Sequence, residues 1–329
     1  MTPIRRLRAL AGATAFAAAC GAVSMPAAAQ DYPSRPITLV NPFPAGGGGD
    51  VLIRPLARKL SDALKQPVVV ENRPGAGQTI GSAQVARAAP DGYTLLAHAI
   101  PTHVNVAAVY EQLPYDPIKS FAPIAQFAGG GSQILLVNPA LPAKTLAELI
   151  ALARSKPDGL TYGSQGVGSL QHVIGELLKT ESGIAWTHVP FKGGAPALEA
   201  LAGGHIDTLM TDSNALPMIQ SGKVRAIAVT AAKRLSQLPD VPTLAELGYP
   251  GATTEIGFAL FAPAGTPPAV VARIHAALKD LPDDPAIQST YRNMNFVPML
   301  GTPEQLQERL VDYTRRYWPV IRRLGLKPT

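Results

Sequence analysis

The chain has 329 residues, 47% of them hydrophobic and 16% charged, with 29 basic against 23 acidic side chains for a formal charge of +6. That balance excludes a disordered chain, and its interspersed signs give no basic stripe of the kind that grips nucleic acid. The single cysteine, Cys20, lies in the first thirty residues, so disulfides, thiolate metal sites and cysteine nucleophiles are excluded from everything after it.

Residues 1–29 read as a secretory signal peptide. Arg5, Arg6 and Arg8 form a basic start, an Ala-rich apolar middle follows, and Ala27 and Ala29 stand in the A-x-A spacing of a cleavage site. Arg5-Arg6 is also compatible with twin-arginine export, and Cys20 is a poor lipidation site. Cleavage would leave 300 residues and, without those three arginines, a charge of +3. A chain of that size predicts two domains or one large α/β unit.

From residue 37 onward short apolar runs alternate with amphipathic stretches. ITLVNPF (37–43), PVVVEN (67–72), YTLLAHA (93–99), QILLVNP (133–139), LTYGS (160–164), THVPF (187–191), IDTLMT (206–211) and VRAIAVT (224–230) read as buried strands. Between them, Thr145 and Glu148 offer a capping box. Leu170, Val173, Ile174, Leu177 and Leu178 form one helical stripe. Thr266-Pro267 and Thr302-Pro303 each offer an N-cap followed by proline, and Leu306, Leu310, Tyr313, Tyr317 and Val320 continue one face. The alternation predicts mostly parallel sheets flanked by helices. Gly129–Gly131 marks a crossing between two such domains, with the return near Glu255–Pro267.

Two glycine-rich loops follow strands and lead into helices: NPFPAGGGGD (41–50) and YGSQGVGS (162–169). The first lacks the Lys-Ser/Thr of a nucleotide loop, and Asp50 would repel phosphate. Its exposed amides at a helix start suit a carboxylate, although a tight turn without a ligand fits equally. Asp50 reads as an N-cap, and Pro55 predicts a late or kinked helix. GAGQTIG (75–81) only mimics a dinucleotide fingerprint, its third glycine falling one residue late. The histidines have no metal-binding spacing, and no G-x-S-x-G elbow surrounds Ser164 or Ser169. Those serines suit hydrogen bonding or, for Ser169, a helix cap. Lys192 beside two glycines is a ligand contact or a solvated charge. Asp212 and Asn214 in TDSN are ligand contacts or caps. All these loops follow strand C-terminal ends, where open α/β sheets place their ligand crevice.

YPSRPITLVNPFPAGGGGD, QPVVVENRPGAGQTIGSAQVARAAPDGYTLL, LPYDPIKSFAPIAQ, LTYGSQGVGSLQH, HVPFKGGAPALEALAGGHID, KVRAIAVTAAKRLSQLPDVPTLAELG and LFAPAGTPPAVVARI together resemble the Bug family, the tripartite tricarboxylate transporter substrate-binding proteins of bacteria. The resemblance spans essentially everything after the signal peptide. It implies a type II periplasmic-binding-protein fold, with lobe 1 formed by 31–131 and 256–329 and lobe 2 by 132–255. It implies a small organic carboxylate held between them. The positions that match the family's ligand contacts are Phe43, Ala45, Gly46, Gly47 and Gly48, then Thr102 and His103, then Ser164, Gly166, Gly168, Ser169 and His172, and finally Lys192, Gly193 and Asp212.

The chain departs from the family pattern at three places. Ala99, Ile100 and Pro101 make one wall more apolar, the segment after LMTD is a residue shorter, and Ile256 stands where the family often has Trp. These departures imply a ligand with one carboxylate and an apolar or aromatic body. No cofactor, metal or nucleic acid is expected. The protein is expected to act as a periplasmic monomer serving a permease of the tripartite tricarboxylate type or a sensor protein. The rival reading, an exported serine hydrolase using Ser164 or Ser169 with His172, lacks an orienting carboxylate.

Overall fold

The computed structural model describes residues 32–326, so the expected signal peptide lies outside the described residues. The chain opens with β1 (Ile37–Asn41), α1 (Gly48–Leu64), β2 (Val68–Asn72), α2 (Thr79–Ala86), β3 (Thr94–Ala99) and α3 (Ile100–Val109). It continues through β4 (Phe121–Gly131) into β5 (Ile134–Val137), α4 (Leu146–Ser155), β6 (Leu160–Ser164), α5 (Leu170–Ser182) and β7 (Trp186–Pro190). Next come α6 (Gly194–Ala202), β8 (Thr208–Thr211), α7 (Leu216–Gln220) and β9 (Arg225–Val229). The chain closes with β10 (Ile256–Pro263), α8 (Pro268–Ala276), α9 (Pro285–Asn293), β11 (Val297–Pro298) and α10 (Pro303–Arg323).

These strands form two sheets, a six-stranded one in the order β11-β4-β10-β3-β1-β2 and a five-stranded one in the order β7-β6-β8-β5-β9. The pairs β1–β2, β1–β3, β6–β7 and β6–β8 are parallel, as strand–helix–strand units require. The mostly parallel expectation fails elsewhere, because β10 runs antiparallel to β3 and β4, and β5 antiparallel to β8 and β9. Both sheets are therefore mixed. The physical reason is the chain path: β5 and β10 are the strands by which the backbone enters each sheet from the other one, so they run opposite to their neighbours, while β4 and β9 keep the direction of the parallel strands.

That passage is stitched by hydrogen bonds. Gln133 N donates to Thr230 Oγ1 (2.8 Å), Thr230 N to Gln133 O (2.9 Å) and Thr254 N to Thr230 O (3.0 Å). Gly129–Gly131 belong to the end of β4 itself, just before the crossing. β10, which had no strand expectation, is buried at every position and lies between β3 and β4.

The helices form where sequence periodicity and caps agree. In α1, Leu52, Ile53, Leu56, Ala57, Leu60 and Leu64 bury one face, and the helix runs through Pro55 without a late start. Ser169 caps α5 by accepting from His172 N, and Gly183 ends it in the left-handed conformation. Thr302 and Gln305 complete a capping box on α10. Thr145 caps α4, but Glu148 reaches Lys144 N rather than Thr145 N, so that box is only half made. At α8 the expectation is off by one residue: Pro267 takes the cap position, and the Thr266 hydroxyl donates to Pro263 O.

Each sheet has its own core. Val40, Val85, Leu96, Ile100, Val104, Phe121, Phe261, Leu306 and Leu310 pack on the first, and Ile134, Leu136, Leu198, Leu201, Ile206, Leu209 and Val229 on the second. Two separate cores with stitched crossings leave the strand C-terminal loops of both sheets free to face each other.

Candidate ligand-binding cleft

Those facing loops close on a narrow cavity of about 20 Å³. Its first-sheet side carries Phe43, Gly48, Leu52, Ala99, Pro101, Thr102, Ile256, Phe258 and Phe296; its second-sheet side carries Gln133, Gln165, Leu170, Gln171 and Asp212. The wall is thus apolar and aromatic, with carboxamides, one hydroxyl and one carboxylate as its polar side chains. No Lys, Arg or His lines it.

Gly48 begins α1, Pro101 and Thr102 lie in the first turn of α3, and Leu170 and Gln171 begin α5, so helix N-termini converge on the cavity. First-turn N–H groups have no acceptor within their own helix, and the helix dipole adds positive potential there. A carboxylate can be held by such donors without a cationic side chain.

The first glycine run is only partly available for this purpose. Gly46 N donates to Asp50 Oδ2 (2.9 Å) and Gly47 N to Pro44 O (3.1 Å), while Ala45 and Gly46 are exposed. Asp50 is not the N-cap expected of it, since Gly47 holds that position and the helix starts at Gly48. The Asp50 carboxylate instead also accepts from Asn41 Nδ2 and Asn72 Nδ2 (each 2.9 Å) and Arg54 Nε (2.7 Å). Burial pushes its pKa up, but these bonds outweigh burial and hold it below the ordinary carboxylate range. Asp50 therefore ties the loop to α1 and β2.

The remaining glycines let the two sides touch. A Cβ on Gly48 would stand 2.3 Å from Asp212 Oδ2, one on Gly193 2.4 Å from Pro44 Cδ, and one on Gly77 2.1 Å from Val167 O. Gly166 and Gly168 lie against Gly77 and Val106 in the same way. The GAGQTIG loop, legible from sequence only as a failed dinucleotide motif, is this contact surface. Gly75, Ala76, Gly77 and Gln78 all have positive φ, which turns the backbone toward residues 166–167. Thr102 Oγ1 accepts from Leu170 N (3.4 Å), a further bond across the cleft.

Other expected positions fall outside the cavity. His103 is fully buried in the first core, stacked on Phe261 at 4.5 Å, with Nε2 2.8 Å from Pro117 O. Its place on α3 is one residue past Thr102, which turns it some 100° around the helix and into the core. Lys192 is exposed. Ser164, Ser169 and His172 form the layer beneath the second loop: Gly168 N donates to His172 Nδ1 (3.2 Å), and the His172 ring stacks on His188 at 3.9 Å. Ser164 Oγ lies 2.6 Å from His188 Nε2, not beside His172, and Ser164 is fully buried. Burial lowers His172 to about 4 and His188 to about 3, the latter helped by His172, so both rings are neutral.

Sequence reasoning missed Gln133, Gln165, Gln171, Phe258 and Phe296. Gln165 sits inside the second glycine loop and Gln171 in the first turn of α5, so both were locatable. Phe296 arrives from the far C-terminal segment and packs where a Cβ on Gly131 would meet its ring at 2.1 Å, a contact no local pattern announces.

Asp212 is the one ionisable group on the wall. Its Oδ1 accepts from Asn214 N (3.2 Å), and Gln165 also donates to the carboxylate. Burial raises its pKa to about 6, with the two hydrogen bonds opposing.

Residues 52–326 match the family model described as tripartite tricarboxylate transporter family receptor. The chain belongs to that receptor family. Among relatives, protein BugT of Bordetella pertussis is 35% identical over 314 residues, covering 95% of this chain and 96% of BugT. The R. palustris protein Rpa4515, solved with adipate, superposes with a TM-score of 0.85 at 34% identity, covering 91% of this chain and 100% of that one. MatC (Rpa3494) of Rhodopseudomonas palustris, solved with bound malate, gives 0.83 at 34% identity, covering 88% and 100%. This receptor accordingly has the two-lobe α/β fold of periplasmic binding proteins. Among its described residues no group of His, Cys, Asp and Glu could hold a metal ion.

Proposed function

We propose that this receptor captures a small organic carboxylate in the periplasm and delivers it to a membrane permease of the tripartite tricarboxylate type. The lobes are residues 31–131 with 256–329, and 132–255. The observation that carries the reading is the convergence of the α1, α3 and α5 N-termini on a cavity without a cationic side chain. Charge-assisted bonds from fixed amides suit a carboxylate. Phe43, Phe258, Phe296, Leu52 and Ile256 favour an apolar or aromatic body on it. Relatives solved with adipate and malate support the ligand class.

Of the positions expected from sequence, Phe43, Gly48, Thr102 and Asp212 would touch the ligand. Gly77, Gly166, Gly168 and Gly193 would let the lobes close on it, and the Ser169–His172 layer would hold the second loop in shape. Binding requires the lobes to part and close again, with the crossing strands at Gln133, Thr230 and Thr254 as the hinge.

The test is a melting-temperature screen of the purified protein against aliphatic and aromatic carboxylic acids at neutral pH. A ligand present at 100 times its Kd adds about 2.7 kcal/mol, which moves Tm by roughly 4 °C for a chain of this size. A screen in which no carboxylate shifts Tm sinks the reading. One in which citrate outcompetes every aromatic acid removes the apolar-body part of it.

A further inference from the structure

The cavity wall offers one acceptor with nothing to accept from and one carboxylate whose only donors, Asn214 N and Gln165, are neutral. Gln171 is 5% exposed, and its Nε2 is committed to Gln133 Oε1 (2.8 Å). That bond leaves the buried Gln171 Oε1 without a partner. Asp212 is 9% exposed and lies over Gly48, where its carboxylate would collide with any added Cβ. It thus faces α1 across the cleft, at the spot where a ligand spanning the lobes must end.

No cationic side chain answers it; the positive potential opposite it is that of the α1 N-terminus at Gly48. On α1 the nearest charge, Asp50, is tied to Arg54; on α5 His172 is engaged by Gly168 N and His188; before α6 Lys192 is exposed; Gln165 and Asn214 are neutral. The remaining cavity walls, from β10 and the Phe296 segment, present Ile256, Phe258 and Phe296, none of which titrates.

We propose, resting on the carboxylate-binding reading, that Asp212 demands a donor hydrogen from the ligand and so sets its class. A carboxylate whose far end carries a hydroxyl or N–H brings that hydrogen itself. A dicarboxylate binds only together with a proton from solvent, shared between its second carboxylate and Asp212 as O–H···O⁻. Two carboxylates in one buried site cannot both stay ionised, so the pair holds one proton. Burial has already moved Asp212 up to about 6 before any anion arrives, and a second anion moves it in the same direction. The Gln171 carbonyl is a second acceptor for the same donor-bearing end.

A matched series of probes tests this: hexanoate, 6-hydroxyhexanoate, 6-aminohexanoate and adipate, titrated calorimetrically into the full protein at several pH values in buffers of different ionisation enthalpy. The expected result is that the hydroxyl and amino compounds bind at least about tenfold tighter than hexanoate without taking up a proton. Adipate is expected to bind with uptake of about one proton, its affinity falling by up to about tenfold per pH unit above about pH 6. The isosteric Asp212→Asn should abolish adipate's proton uptake and weaken 6-aminohexanoate. Adipate binding to the unmodified protein without proton uptake, or an unchanged order of the series in Asp212→Asn, overturns the inference while leaving carboxylate binding intact. If none of the four binds, this inference falls; the carboxylate reading falls with it only if the melting-temperature screen also finds no carboxylate that shifts Tm.

Discussion

Gly48 has two features that the sequence presents as one. Its N–H, with that of Gly49, opens the first turn of α1, and its missing side chain leaves the space that the Asp212 carboxylate occupies. Gly48→Ala keeps the N–H and, at an ordinary helical φ, strains nothing locally. It places a methyl 2.3 Å from Asp212 Oδ2, so the lobes cannot come together as they do here. The expected outcome is a loss of carboxylate affinity of at least tenfold, about 1.4 kcal/mol or more, with Tm of the unliganded protein nearly unchanged. Calorimetry beside a melting curve separates the two effects. His103→Ala should show the reverse: it removes a ring stacked on Phe261 and costs roughly 3 kcal/mol of stability, while leaving affinity in the surviving folded protein unaltered. At this scale the sequence announced that side chains had been removed from 46–49, 166, 168 and 193, but not why. A glycine stripped for a ligand and one stripped for a neighbouring lobe look the same in one dimension.

Among the elements, legibility followed locality. The strands β1, β2, β3, β6 and β8 stand in strand–turn–helix units whose boundaries are set by residues a few positions away, and they were readable from apolar runs and caps. β4 and β10 were not, because FAPIAQFAGGG and IGFALFAP contain proline, glycine or a polar residue where a run was sought. Their strand state is set by pairing with each other across more than a hundred residues. The same logic makes α10 a good place to measure a purely local term. Thr302 accepts from Gln305 N (3.2 Å) while Gln305 Oε1 accepts from Thr302 N (2.9 Å). Thr302→Ala removes one arm of that box at a site remote from the cavity. A loss of about 1 kcal/mol, or a few degrees in Tm, with unchanged ligand affinity is expected. A fall in affinity would show that α10, whose Tyr313 hydroxyl donates to Glu255 O at the return crossing (2.9 Å), transmits its stability to the hinge.

The molecule as a whole carries buried titrating groups of opposite sign, and their balance fixes how it responds to acid. His103 falls from 6.5 to about 4, chiefly by burial, His172 likewise to about 4 and His188 to about 3, while His98 is driven well below its ordinary value by burial and by His103. These imidazoles stay neutral when folded and take up protons when unfolded. Their contribution is intact above about pH 6.5 and is lost as pH drops toward their folded values. Asp212 works the other way: its folded value of about 6 lies above the unfolded 3.8, so the cost of burying its charge is present above about pH 6 and disappears as pH falls to 3.8. The Asp212, His103 and His172 shifts, of two to three pH units, each correspond to roughly 3 kcal/mol, so one aspartate offsets about one histidine and leaves the others uncompensated. With a total stability of order 5–15 kcal/mol, Tm should decline steadily below about pH 6 and the fold should fail near pH 4. Asp212→Asn isolates the opposing term: it should raise Tm at pH 7.5, and the gain should shrink to nothing by about pH 4. Melting curves of both proteins across pH 4–8 check the prediction. A gain that persists unchanged to pH 4 would mean that the carboxylate is not the charged group whose burial opposes folding, and would remove the electrostatic basis for its role in the cleft.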